Sequence, residues 1–131
     1  MTDYFLDTSV VVSFLRNKGD VIKTLKKLDG KFASSFVVLA ELYEGVFRVR
    51  GKAVAEEKLL AFFKKLKKVF GIDLAIAKEF GRIRSELKRK GEVIEDLDIL
   101  IAATCTANNL ILLTQNVKHF ERIKELRIIE V

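Results

Sequence analysis

The chain has 131 residues, half of them hydrophobic, which is the length of one ordinary domain with a sizeable core. Its 24 Lys and Arg against 18 Asp and Glu leave a net charge of +6, so polyanionic partners are favoured and a phosphate-bearing substrate is expected. One cysteine, Cys105, excludes an intrachain disulfide and a Cys-cluster zinc site. No apolar run is long enough to span a bilayer, and the N-terminus lacks the basic flank of a signal peptide, so no membrane association and a reducing cytoplasm are expected.

In chain order, "DYFLD" (residues 3–7) reads as a short strand, and "TSVVVSFLRN" (8–17) as a helix that Thr8 or Ser9 can cap. "DVIKTLKKL" spaces Val21, Ile22, Leu25 and Leu28 at helical intervals behind Asp20 as its cap. "KFASSF" suits a brief strand. "VVLAELYEGVFRVR" and "AVAEEKLLAFFKKLKK" follow as two helices parted near Gly51, the second with its phenylalanines inward and its lysines outward. "KVFGI" reads as a third strand, and "LAIAKEFGRIRSELKRKG" as a long helix stopped by a glycine cap at Gly91. "EDLDILIAATCTANN" is apolar on nearly every side after an acidic start, as a central buried helix would be. "LILLT" and "LRIIEV" are the last strands. Strands alternating with helices predict an α/β fold in three layers: a mainly parallel sheet of about five strands, covered by helices on both faces. No repeat or linker divides residues 1–131, so a single domain is expected.

Open parallel sheets bind ligands beyond the carboxyl ends of their strands. Asp7 closes the first strand there, and Thr114 closes "LILLT" with Asn116 just after it. Thr114 and Asn116 share the rim of Asp7 if those two strands are neighbours. Glu41 is a second unusual acid, with Val37, Val38, Glu44 and Gly45 one helical turn away; the glycine is expected to leave room beside it. Asp96 and Asp98 open the apolar helix, and Ile101 and Ala102 one turn from Asp98 place that acid at the edge of the core. Each acid also has a plain structural role open to it: Asp7 as a helix cap, Asp96 and Asp98 as complements to a helix dipole, Glu41 as the partner of a buried arginine. Together, three separated acids without a matching pattern of buried cations call for a neutralising metal, and hard oxygen ligands select Mg²⁺ or Mn²⁺.

"FLDTSVVVSFL", "LAELYEG", "IEDLDILIAATCTANNLILLTQNVKHF" and "LRIIEV", in this order, resemble a PIN-domain protein, and most closely the VapC ribonuclease toxins of bacterial and archaeal toxin–antitoxin pairs. The resemblance covers essentially the whole chain. It implies an acidic site of Asp7, Glu41 and Asp98, with Asp96 nearby, that binds Mg²⁺ or Mn²⁺ and cleaves RNA. It implies a VapB-like antitoxin that inserts a segment into the site, and a homodimer. Many PIN proteins carry a fourth acid after the last-but-one strand, where this chain has "TQN" with Asn116; a second tightly held metal is therefore not implied. Thr8 would orient water at the metal as well as cap its helix.

Other readings compete. A non-catalytic RNA-binding or scaffold protein could keep the fold, and a housekeeping RNA-processing nuclease could keep the chemistry. A phosphoacceptor domain also uses strand-end acids, but it does not explain a helical Glu41. His119, the single histidine, excludes an intramolecular pair of histidines and reads as a packed or capping residue; Cys105 reads as a small core residue. For phosphate contact, "RIRSELKRKG" with Arg82, Arg84, Lys88, Arg89 and Lys90 is the better basic candidate, ahead of Lys64, Lys65, Lys67 and Lys68.

Overall fold

The computed structural model describes residues 3–131. Its elements run β1 (Asp3–Leu6), α1 (Thr8–Leu15), α2 (Gly19–Lys27), β2 (Lys31–Ser35), α3 (Phe36–Arg48) and α4 (Lys52–Lys64). They continue with β3 (Lys68–Phe70), α5 (Leu74–Arg89), α6 (Asp96–Ala107), β4 (Ile111–Thr114), α7 (Val117–Phe120) and β5 (Ile128–Glu130). The expected α/β architecture is present, with a five-stranded sheet in the order β3-β2-β1-β4-β5 and every pairing parallel.

Parallel neighbours need a crossover, and here each crossover is helical. From β1 the chain builds outward to β2 and β3, then returns through α5 and α6 to place β4 on the other side of β1. The order therefore reverses between β1 and β4, whose register aligns Leu6 with Leu113. That reversal opens a crevice at the carboxyl ends of these two central strands.

The core takes β1 and β4 almost whole: Phe5, Leu112 and Leu113 have no exposed surface. Continuous apolar runs suit strands covered on both faces. The apolar α6 is buried through Ile101, Ala102, Ala103 and Cys105, as its composition predicts, and Cys105 is a core residue whose thiol burial pushes up.

Several boundaries differ from the sequence reading. β1 ends at Leu6, and Asp7 is the N-cap of α1, its side chain accepting from Thr8 N. An acid that accepts one of the helix's unpaired amides outcompetes the hydroxyls behind it. Helix α1 ends at Leu15 because Asn17 takes a left-handed φ of 60°. Asp20 lies in the first turn of α2 instead of capping it. Asp73 caps α5 by accepting from Ile76 N. Gly91 has φ +70°, in keeping with its place just past the end of α5. The short α7 is an element the sequence reading did not assign.

Candidate active site

Asp7 and Thr114 meet across the crevice between β1 and β4. Asp7 N donates to the Leu113 carbonyl at 3.1 Å, which extends the ladder by one residue. The Asp7 carboxylate is buried, 4% exposed, and receives three protein donors: Thr8 N on Oδ1 at 2.7 Å, with Thr114 Oγ1 at 2.7 Å and Ser9 Oγ at 3.2 Å on Oδ2. A carboxylate so satisfied is fixed in orientation. Capping is thus a real part of its role, and it leaves lone pairs facing the crevice.

Thr114 passes the order onward. Its hydroxyl accepts from Asn116 N at 2.9 Å, and Ser9 Oγ accepts from Gln115 N at 3.1 Å. The loop after β4 is therefore sewn to α1. Asn116 is exposed at the rim, as the sequence placed it.

Glu41 comes from the middle of α3, a helix that Ser35 caps through Val38 N. Thr8 Oγ1 donates to Glu41 Oε1 at 2.8 Å, so the first residue of α1 touches both acids. Gly45 faces open space, with nothing within 4 Å of where a Cβ would stand, so the expectation that it makes room for Glu41 is not met. Asp98 enters from the first turn of α6, with its side chain 16% exposed.

These acids sense one another. Burial raises the Glu41 carboxyl above the ordinary carboxylate range against the lowering hydrogen bond from Thr8, and the charges of Asp7, Asp98 and Glu95 raise it further. Burial also raises Asp98, with Asp7 and Glu95 adding to it and His119 opposing. Mutual repulsion of this kind marks a site short of positive charge. No group of three or more His, Cys, Asp or Glu side chains stands close enough to ring a metal directly among the described residues. A cation at these acids would therefore be held partly through water, as an ion that keeps several of its waters can be. The donor set is hard oxygen throughout, which suits Mg²⁺ or Mn²⁺ and not a thiophilic ion.

Not every predicted residue converges. Asp96 turns outward, its side chain 60% exposed, and its Oδ1 accepts from Arg84 Nε at 3.0 Å. It is a first-turn acid whose charge a neighbouring helix has taken. Glu95, which the sequence reading passed over, is the acid that instead acts on both Glu41 and Asp98. Its place three residues before Asp98 at the start of α6 was the available signal. His119 is neither packed nor buried: its side chain is 57% exposed, with Nδ1 3.2 Å from Asp98 Oδ2.

The basic helix is largely neutralised. Arg82 pairs with Glu79, Glu86 and Glu125, Arg84 with Asp96, and Lys90 with Glu86. The rank given to "RIRSELKRKG" as the better phosphate contact therefore narrows to Lys88 and Arg89, which enter no ion pair among the described residues. Lys65 and Lys67 belong to a different feature, a groove of about 900 Å³ floored by Phe14, Leu25, Phe32 and Phe62 and edged by lysines that include Lys26, Lys31 and Lys58.

No helix among the described residues is long and apolar enough to cross a membrane. The family model of the PIN domain matches residues 4–126. The chain is 34% identical to the ribonuclease VapC1 of Methanocaldococcus jannaschii over 92% of its own length and 80% of that protein's. It is 33% identical to the tRNA(fMet)-specific endonuclease VapC of Shigella flexneri over 97% and 96%. In structure it is similar to VapBC2 from Rickettsia felis bound to a DNA fragment from its promoter, with a TM-score of 0.91 and 31% identity over 99% of both chains. An acidic crevice at the central strand ends, on a chain matched from end to end, leads to one conclusion: this chain belongs to the PIN-domain family, among its VapC members.

Proposed function

We propose that the chain is a metal-dependent endoribonuclease that hydrolyses RNA phosphodiester bonds, and that it acts as the toxin of a toxin–antitoxin pair. What supports this reading is that Thr8 hydrogen-bonds both Asp7 and Glu41, with the charge of Asp98 near enough to act on Glu41. The similarity to the VapC ribonuclease and the tRNA(fMet) endonuclease supports the substrate class.

Asp7, Glu41 and Asp98 would hold Mg²⁺ or Mn²⁺, some of them through water. When bound, such an ion lowers the pKa of water and offsets charge building on the scissile phosphate. The chain's own residues supply position. Thr114, Ser9 and the Thr8 amide hold Asp7; the Thr8 hydroxyl holds Glu41. Asn116 offers a neutral amide at the rim where a phosphate would enter. Water attacks phosphorus, the P–O3′ bond breaks, and O3′ leaves as a hydroxyl, so the downstream fragment keeps a 5′-phosphate. The ribose 2′-hydroxyl takes no part, and no pair of histidines is needed.

Beside the segment expected in the site, the lysine-edged groove is the surface on which this reading places a helix of the antitoxin. Its floor is apolar and its unpaired edge charges are positive, which fits an amphipathic helix with acidic flanks. The similar chain from Rickettsia felis was solved together with its VapB partner, which supports a partner of that kind.

End-labelled RNA incubated with Mg²⁺ or Mn²⁺, and in parallel with EDTA, tests the activity. The expected result is cleavage that EDTA abolishes and 5′-phosphate ends. Cleavage unimpaired by EDTA, or cyclic phosphate ends, would refute the metal mechanism; RNA binding without any cleavage would favour a non-catalytic scaffold.

A further inference from the structure

Each acid of the crevice has an orienting partner, and the three partners differ in kind. Asp7 has a backbone amide and two hydroxyls, and Glu41 has the hydroxyl of Thr8. Asp98 has the imidazole of His119, whose Nδ1 lies 3.2 Å from Oδ2. Among the described residues no other side-chain donor reaches the Asp98 carboxylate.

The backbone that carries the imidazole is held in place from behind. Phe120, the next residue, has no exposed surface and roots α7 in the core, while His119 N donates to the Asn116 carbonyl at 3.0 Å. The loop that carries Asn116 is itself tied through Thr114 to Asp7. His119 thus reaches Asp98 from the same stitched segment that orders Asp7.

An aspartate carboxylate swings broadly about its terminal torsion unless a neighbour restrains it. A neighbour held 3.2 Å from one oxygen limits that swing. Outer-shell partners of this sort fix ligand orientation, and losing one typically weakens metal binding by about 10- to 100-fold.

We infer that His119 is a positioning residue: its Nδ1 restrains Asp98 Oδ2, so that Oδ1 is presented to the cation. The inference rests on the metal-binding reading of the crevice. It gives the chain's one histidine a role in binding geometry, separate from any acid–base work on RNA.

Mn²⁺ alone, titrated calorimetrically into the full chain without RNA, tests it. The variants are His119→Ala, His119→Asn and Asp98→Asn. Asparagine carries an amide nitrogen at the same bond count from Cα as the imidazole Nδ1, so it can restore the donor without the ring. The expected result is Mn²⁺ affinity reduced about tenfold or more in H119A and largely retained in H119N. Matched melting temperatures in EDTA check that the exposed position has not altered the fold. H119A binding Mn²⁺ like wild type would overturn the inference, as would H119N binding as weakly as H119A. Wild type that binds no Mn²⁺, or D98N that binds it unchanged, would overturn the metal reading itself, a failure distinct from the other two.

Discussion

Thr8 Oγ1 donates to Glu41 Oε1 at 2.8 Å, across 33 residues of sequence, so that the first residue of α1 sets the carboxylate of α3. This hydrogen bond lowers the Glu41 carboxyl against the larger raising effect of burial. Thr8→Val removes the hydroxyl at nearly constant shape. Glu41 then rises further and stays protonated to higher pH, so the acidic limb of the cleavage-against-pH profile should move upward, while Thr8→Ser should leave it in place. Profiles that superimpose for all three proteins would remove Thr8 from the site.

Glu41 and Asp98 also predict an unusual stability profile. Both carboxyls lie above their ordinary values of 4.5 and 3.8 in the folded state. A raised carboxyl favours folding below its unfolded value, and that contribution is lost as pH rises through the folded value. At neutral pH without metal the charged acids therefore oppose folding. Glu41→Gln and Asp98→Asn should melt at equal or higher temperature than wild type in EDTA near neutrality, with the advantage fading as pH falls to about 4. Added Mn²⁺ should raise wild type more than either variant. Melting curves across pH, with EDTA and with Mn²⁺, check both statements; variants that are less stable than wild type at neutral pH without metal would contradict the repulsion.

Thr114 has the opposite sign. It is fully buried and gives Asp7 Oδ2 a 2.7 Å hydrogen bond. Thr114→Val leaves a buried charge one donor short and should cost about 2 kcal/mol in urea unfolding, along with most of the cleavage activity. Thr114→Ser should restore both. A valine variant as stable and active as wild type would show that Asp7 needs no donor from β4.

The groove lends itself to a salt test. Lys26, Lys31, Lys58, Lys65 and Lys67 edge it, and among the described residues only Lys67 of these enters an ion pair, with Asp3. An amphipathic, acidic antitoxin segment should bind more weakly as salt rises, and Lys58→Glu with Lys65→Glu should weaken it further without changing cleavage by the free chain. Titration of such a peptide at two salt concentrations is the check. Affinity indifferent to both salt and the substitutions would move the partner elsewhere.

Self-association is expected on separate ground. Ile72 and Leu74, two residues apart at the start of α5, are 60% and 72% exposed. Light scattering of the free chain should give a homodimer, and Leu74→Glu should shift it toward monomer. A clean monomer at micromolar concentration would reject the homodimer.

Much of this site could be read from the sequence because it depends on period and position. The alternation of β1 with α1 placed Asp7 at a strand end, and the apolar stripe around Glu41 marked a carboxylate in the wrong surroundings. What could not be read depends on contacts between distant segments. "RIRSELKRKG" looks like a free basic surface until Glu79, Glu86, Glu125 and Asp96 are seen to take its charges. Asp96 and Asp98 are two residues apart and look alike as first-turn acids, yet helical geometry sends one to Arg84 and the other to the crevice. His119 belongs to a helix of four residues, too short to show a period, so nothing local aimed it at Asp98.

The pairing of β1 with β4 also sets an order of events during synthesis. Asp7 is made well before its donor Thr114, which lies 107 residues later, and the Leu113 carbonyl that receives its amide comes just before Thr114. A chain emerging from its ribosome therefore has Asp7 without these two partners until β4 has been made. β2 and β3 can pair with β1 earlier, so a half-sheet waits with its central edge open. Asp7 gains the Thr114 donor and the Leu113 acceptor only when β4 docks on that edge.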